Sequence, residues 1–230
     1  MINFGDVLNQ HKNMMKNGFL LPIFNLIIRV ALALNLVEYF KKSVRMAYRF
    51  TKNTKKLSHE DTLEASNIAI DIYQLFKFGV LFSFWALGVD SELSKHIVYY
   101  LLASNLFTYF YNQVWGNGYS SRFDRASLNR RFLNTLLAIT YYLLCYAYLY
   151  QYHFNSMIDW LNSASAQESL YVSISTAFTL TYAGFSPKGN DLTIYMVFLT
   201  EILNTFFFLT IIISNSIPAY GKTMNYKNKI

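Results

Sequence analysis

Four stretches of the chain are almost free of charge and are long enough to cross a bilayer as helices. They are residues 72–89, 97–115, 132–154 and 192–217. The hydrocarbon layer is roughly 30 Å thick, so about 20 apolar residues are needed to span it. A fifth stretch, 19–40, is apolar but places Arg29 and Glu38 on one broad polar face of a helix. This pattern predicts four spans, and the fifth helix either spans or lies along the membrane surface.

The composition supports the same interpretation. Hydrophobic residues make up 53% of the 230 residues and charged residues only 14%, whereas a soluble domain has about a quarter charged residues. The deficit is concentrated in the apolar stretches. The sequence therefore predicts an all-α membrane protein with four or five transmembrane helices.

The basic residues of the connecting segments are distributed unevenly. Three segments carry fourteen Lys and Arg between them, namely 41–71, 116–131 and the tail from 218. The two remaining loops, 90–96 and 155–191, carry one each. Because Lys and Arg are retained on the cytoplasmic side, we expect a multi-pass protein with a cytoplasmic C-terminus. We expect its membrane to be a bacterial inner membrane.

A segment that is neither a span nor an ordinary loop lies between the last two apolar stretches. Ser165 and Glu168 match a capping box, which predicts a short helix over 166–178. This helix is too short to cross a bilayer, and Asp191 can cap the final helix. Irregular backbone at membrane depth is tolerated only where it lines a water-filled cavity, and its carbonyls can replace the hydration shell of a cation. The segment therefore predicts a pore helix and a filter-like loop, or alternatively a hairpin in another kind of membrane protein.

Over residues 132–217 this order of elements resembles the pore module of the P-loop cation channel superfamily, whose filter reads Thr-Val-Gly-Tyr-Gly. In one register the filter falls on 179–183, with Gly184 in the place of the acid of the family. In a second register, 183–185 look like the Ala-Gly-Phe loops of Trk-type potassium transporters. The filter candidates are Thr179, Leu180, Thr181, Tyr182, Ala183, Gly184, Phe185 and Ser186.

The resemblance implies a homotetramer that conducts monovalent cations and needs no cofactor and no metal. Thr181 and Ala183 replace the two filter glycines in the first register, which implies weak selectivity because glycine reaches left-handed backbone angles most easily. The family lines its conduction path with the last helix. The corresponding candidates are Thr200, Glu201, Asn204, Phe208, Ile211 and Asn215.

The polar residues of the last helix also have a second interpretation, since Thr and Asn often join packed membrane helices through hydrogen bonds. An acidic side chain such as Glu201 within a membrane costs free energy, so it is expected to face water or a partner. It could attract cations in the cavity, or it could pair with Arg29 or Lys77.

One strongly basic helical face follows the first apolar stretch. Its residues are Lys42, Arg45, Arg49, Lys52 and Lys56. The face could bind anionic lipids at the membrane surface, or it could be a cytoplasmic site for a nucleotide or oligonucleotide. No span carries a basic residue at every third position, which argues against voltage gating.

These features divide the chain into 1–71, an N-terminal helix and basic segment; 72–131, a two-span hairpin; 132–217, the pore module; and 218–230, a tail. No enzyme motif is present, so we expect no enzymatic activity. The sequence predicts a weakly selective, ligand-gated cation channel. The alternatives are a membrane effector of bacterial anti-phage defence controlled by a nucleotide signal, and a transporter subunit.

Overall fold

The computed structural model describes residues 20–54, 56–111, 125–160, 163–180, 185–189 and 192–216. These residues are mostly helical. The helices are α1 (Leu20–Leu34), α2 (Leu36–Thr51), α3 (His59–Ala86), α4 (Glu92–Phe110), α5 (Arg125–Tyr152), α6 (Ala166–Ala177) and α7 (Leu192–Ser216), and the strands are β1 (Ile158–Trp160) and β2 (Phe185–Pro187). The chain forms two compact units, one ending at Leu75 and the other beginning at Phe76.

Three helices are long and apolar enough to cross a membrane: α3, the Phe132–Tyr152 part of α5 and the Leu192–Thr210 part of α7. The bent pair α1 and α2 gives a fourth candidate span if the two helices are counted as one. The prediction of a mostly helical chain with several apolar helices is thus confirmed.

The expected span over 97–115 differs from the helix that forms there. Helix α4 begins at Glu92, so its first turns include Lys95 and His96, and it is not among the candidate spans of the described residues. The last residues of the expected span, 112–115, lie outside the described residues. The count of candidate spans is therefore three or four, where the sequence suggested four or five.

In the first unit, the apolar stretch expected to form one helix over 19–40 forms two. Asn35 is extended, with φ −83° and ψ 115°, and its side-chain oxygen accepts a hydrogen bond from the backbone N–H of Val37 at 3.2 Å. This is the geometry of a helix N-cap. The axes of α1 and α2 consequently differ by 59°. Helix α2 then packs on the first part of α3, where the rings of Phe40 and Tyr73 meet edge to face at 5.5 Å.

In the second unit, α5 is the central helix. Its residues from Tyr141 to Tyr150 are almost all buried, which requires neighbours on every side. Helices α4, α6 and α7 pack against it. Tyr142 stacks on Phe208 of α7 at 5.2 Å, and Tyr109 of α4 contacts the same ring at 5.0 Å.

A small antiparallel sheet, which the sequence analysis did not predict, joins the chain before and after α6. Strand β1 follows α5 and strand β2 precedes α7, and Asp159 lies opposite Ser186. Outside the ladder, the N–H of Lys188 donates to the carbonyl oxygen of Met157 at 2.8 Å. The segment that contains α6 therefore leaves and returns at the same place, at the ends of α5 and α7.

Candidate functional site

Helix α6 starts where its capping residues predict. The Ser165 side chain accepts a hydrogen bond from the N–H of Glu168 at 3.2 Å, and Ser165 itself is extended. The helix covers 12 residues, which corresponds to a length of about 18 Å. The prediction of a short helix over 166–178 is confirmed, with Phe178 as the residue that ends it.

The middle of α6 contacts the middle of two apolar helices. Ser173 Oγ lies 2.9 Å from the carbonyl oxygen of Leu143 and 2.5 Å from Glu201 Oε1. Glu201 is the central residue of the apolar Leu192–Thr210 segment, and Leu143 is next to the centre of Phe132–Tyr152. The second half of α6 thus lies level with the centres of both segments.

Glu201 is completely enclosed within the unit, with no exposed surface. Tyr150 of α5 donates its hydroxyl hydrogen to Glu201 Oε2 at 2.5 Å, and Ser173 approaches the other oxygen. Ser173 has one hydroxyl proton and two acceptors within reach. A neutral Glu201 that donates to Ser173 leaves the Ser173 proton for Leu143, so every group is satisfied without burying a lone charge. Glu201 therefore joins α5, α6 and α7.

Lys77, one of the two basic partners considered for Glu201, is engaged elsewhere. Its ammonium group donates to Asn105 Oδ1 at 2.5 Å and lies 4.4 Å from the centroid of the Tyr141 ring. Asn105 in turn donates to the carbonyl oxygen of Ala138 at 3.0 Å. Among the described residues, Lys77 forms no ion pair with a carboxylate.

The C-terminal end of α6 is closed by a strained turn. The N–H of Thr179 donates to the carbonyl of Thr176 at 3.1 Å, and the N–H of Leu180 to that of Ser175 at 2.8 Å. These two bonds form a Schellman motif, which places Thr179 in the left-handed region, with φ +53°. Glycine is the usual residue there, and a β-branched residue is an outlier. The backbone is thus strained at the first of the filter candidates.

The structure places the two ends of the predicted filter and not its centre. Thr179 and Leu180 follow α6, and the Leu180 side chain is exposed. Phe185 and Ser186 belong to β2, and the Phe185 ring meets Phe198 of α7 at 6.0 Å. The other four candidates lie outside the described residues: Thr181, Tyr182, Ala183 and Gly184.

The predicted lining residues Asn204 and Phe208 of α7 face α5, and Thr200 bonds to α5 although it is exposed. Asn204 donates to the Tyr146 hydroxyl at 2.9 Å, and that hydroxyl donates to Thr200 Oγ1 at 3.2 Å. Phe208 is 1% exposed because it stacks on Tyr142. These contacts favour the alternative in which the polar residues of the last helix join packed helices through hydrogen bonds. The side chains of Ile211 and Asn215 lie outside the described part of the structure.

The open face of α7 is mostly apolar, with Thr210 as an exposed polar member. Leu199, Leu203 and Phe206 are 47%, 56% and 59% exposed. They project from the side of the helix opposite to Glu201 and Phe208. A surface that lines a shared axis must be exposed on the isolated subunit, and these three residues and Thr200 meet that condition.

The sequence analysis missed a row of tyrosines on α5. Tyr142, Tyr146 and Tyr150 follow each other at four-residue intervals and share one helical face. Their hydroxyls meet α7 at successive levels; that of Tyr142 lies 2.9 Å from Thr205 Oγ1. The sequence did contain a signal for this row: tyrosines at four-residue intervals in one predicted span, and polar residues on one side of the last span that could bond to them.

The basic face of α2 divides into two sets. Arg45 donates to Ser66 Oγ at 3.1 and 2.8 Å, and Lys52 pairs with Asp61, so both side chains hold α2 against α3. The hydrogen bond to Asp61 raises the pKa of Lys52. Lys42 lies over the ring of Tyr39 at 5.4 Å. Lys42, Arg49 and Lys56 are exposed and remain open to a ligand or lipid.

No protein-family model, curated protein or solved structure matches the chain. The resemblance to P-loop pore modules therefore stays a prediction, and the functional proposal rests on the residues and contacts described above.

Proposed function

We propose that the chain is the subunit of a homotetrameric cation channel in which α6 and the residues after it form a re-entrant pore loop. The observation that carries the proposal is the position of Ser173, which contacts the centres of the apolar segments of α5 and α7. If those two helices cross the membrane, α6 ends near its middle.

The lengths of the connecting pieces agree with this path. The β1–β2 sheet lies at the ends of α5 and α7, which is the membrane surface in this proposal. Helix α6 is about 18 Å long, a little over half of the roughly 30 Å hydrocarbon layer. Seven residues separate Ala177 from Phe185, and at 3.3–3.6 Å each they can extend about 25 Å. The chain can therefore return to the surface without a second helix.

This path favours a cation at its deepest point. The C-terminal end of a helix carries about half a negative charge. Four copies around an axis would direct these charges at one place, where backbone carbonyls can replace hydration water. A single loop per chain requires rotational symmetry to close a pore. Phe178 and Leu180, which are 48% and 60% exposed, then contact neighbouring subunits.

Below the loop, the open face of α7 forms the wall of the conduction path. Leu199, Leu203 and Phe206 are apolar, and a ring of such side chains gates by dewetting rather than by charge. Glu201 does not line this path but holds α6 in place through Ser173. This assignment differs from the sequence-based one, in which Thr200, Asn204 and Phe208 lined the pore.

Ion flux through the purified protein in liposomes tests the proposal. We expect potassium and sodium flux without chloride flux. Leu203→Asn should increase the flux several-fold because it hydrates the constriction. The matched control is Leu136→Asn on α5, where the leucine is similarly exposed, at 49%, and flux should be unchanged. Absence of cation flux from a folded tetramer at every membrane potential and lipid composition would contradict the proposal.

A further inference from the structure

Helices α4 and α7 run in the same direction, and aromatic rings join them at one end. Near their C-terminal ends Tyr109 meets Phe208 at 5.0 Å and Phe110 meets Phe207 at 5.6 Å. Toward their N-terminal ends the helices separate and leave a cleft of about 490 Å³. We call it the α4–α7 cleft.

The walls of the α4–α7 cleft are apolar and its mouth is basic. Val197 of α7 and Phe154, after the end of α5, are buried and form its inner wall, while Tyr99 and Met196 stand on its two sides. Lys95, in the first turns of α4, lies at the mouth, with its ammonium group 5.5 Å from the centroid of the Phe154 ring.

The Lys95 charge is available to an incoming anion. Its partner among the described residues is Glu92, at 3.2 Å, on the same helix, and the Glu92 side chain is 74% exposed. An exposed pair of this kind contributes little, so a ligand anion can displace it. The first turns of α4 and α7 both lie at this mouth, and the positive ends of two helix dipoles add to the attraction for an anion.

We propose that the α4–α7 cleft binds a single-chain anionic amphiphile, with its acyl chain along Val197 and its carboxylate or phosphate on Lys95. The volume lies within the usual range for small-molecule sites, which are mostly apolar with few polar groups. A neutral hydrocarbon leaves the lysine unused, and a small anion leaves the apolar walls exposed. The amphiphile satisfies both parts of the site, and its source is either a free fatty acid or a lysophospholipid.

Equilibrium binding to the full chain in uncharged detergent tests this inference without measuring ion flux, so it succeeds or fails separately from the channel proposal. The probes are palmitate, palmitoyl lysophosphatidylglycerol, hexadecanol and inorganic phosphate. We expect one or both anionic amphiphiles to bind, hexadecanol at least tenfold more weakly, and phosphate not at all. Preference between palmitate and the lysophospholipid identifies the source of the anion.

Variants locate the site. Lys95→Gln should weaken palmitate binding roughly tenfold, since one charged hydrogen bond is lost, and leave hexadecanol binding unchanged. Lys188→Gln removes an exposed lysine outside the cleft and should have no effect. Met196→Trp fills the cleft from an open side and should abolish binding of both. A palmitate carrying a diazirine on its chain should crosslink to α4 near Tyr99 and to α7 near Met196.

Three results would overturn the inference. One is equal binding of hexadecanol and palmitate. Another is equal affinity of the Lys95→Gln and Lys188→Gln variants for palmitate. The third is a combination of two results: the wild-type protein binds no amphiphile, and the Met196→Trp variant loses its oligomeric state. Together they would show that a second copy of the chain occupies the cleft.

Discussion

The two sides of α5 bury two ionisable residues in different ways. Toward α6 and α7, Glu201 lies between Tyr150 and Ser173 and connects three helices. Toward α3 and α4, Lys77 meets the amide of Asn105 and the ring of Tyr141. Both side chains are at most 1% exposed.

Glu201 and Lys77 differ in the helices that their side chains connect. Glu201 fixes a helix that ends inside the unit, directly before the strained turn at Thr179 and the filter candidates. Lys77 of α3 contacts Asn105 of α4 and Tyr141 of α5, and neither contact involves α6. We therefore expect changes at Glu201 to affect conduction, and changes at Lys77 to affect stability at most.

The largest expected effect is the response to Glu201→Leu. This variant leaves the hydroxyl of Tyr150 without an acceptor, at a cost of about 1–3 kcal/mol, and removes the group that joins Ser173 to α7. Cation flux in liposomes should therefore fall at least tenfold. Lys77→Met leaves Asn105 Oδ1 without its donor and should cost stability, but it should retain flux because it does not touch the contacts of α6. Glu201→Gln should also retain flux, because an amide can donate to Ser173 and accept from Tyr150. If Glu201→Leu and Lys77→Met reduced cation flux equally, the proposed difference between the two buried residues would be wrong.

A second prediction compares two helix ends with the same hydrogen bonds. Gly88 after α3 has φ +61° and Thr179 after α6 has φ +53°. Gly88→Ala should destabilise the protein by about 1–2 kcal/mol, the cost of the left-handed region. Thr179→Gly should stabilise it by up to about 1 kcal/mol, since part of the relieved strain is offset by the entropy of glycine.

Denaturant titration of both variants in detergent measures these differences. In liposomes, Thr179→Gly should also change the ratio of potassium to sodium flux, whereas Gly88→Ala should not. A Thr179→Gly variant that is less stable than the wild-type protein would show that the turn is not strained.

A smaller effect is expected at the surface end of α5. His153 Nε2 lies 3.3 Å from Ser94 Oγ, and burial, together with Lys95, lowers the pKa of His153 below its ordinary value of 6.5. The unfolded chain then binds more protons than the folded one, so stability falls as pH drops from 7 toward 5. Melting temperatures should fall with pH by an amount that corresponds to less than about 1 kcal/mol in the free energy of unfolding. His153→Gln should remove this fall. His96→Gln is the control, and an unchanged pH dependence in His153→Gln would refute the assignment.

The smallest expected effects separate the two sets of the basic face. Arg45→Gln loses the contact with Ser66 and should destabilise the first unit by a few tenths of a kcal/mol, as is usual near a protein surface. Arg49→Gln should leave stability unchanged but weaken the dependence of flux on anionic lipid or added nucleotide. If neither variant alters that dependence, the regulatory ligand binds elsewhere.

Features set by neighbouring residues could be predicted from the sequence. Ser165 and Glu168 located the start of α6 because a capping residue bonds to amides within three positions. Asn35 lies inside the stretch expected to form one helix over 19–40, although the same local rule makes it an N-cap. The early start of α4 was missed because hydropathy disfavours Glu92 and Lys95, while Ser91 caps the helix before them.

Features set by distant partners could not be predicted in the same way. The β1–β2 sheet pairs three residues on each side of α6, and no local pattern identifies so short a ladder. The face of α7 was assigned from its polar residues alone. Thr200 and Asn204 instead bond to Tyr146, a residue that is counted among the hydrophobic ones although its hydroxyl contacts both of them.

The most direct test of the central claim is a density map of the protein in a lipid nanodisc. The account predicts four subunits around one opening, with α6 ending at half the depth of the lipid layer and 179–186 nearest the axis. A monomer, or a closed assembly with this segment on its rim, would contradict it.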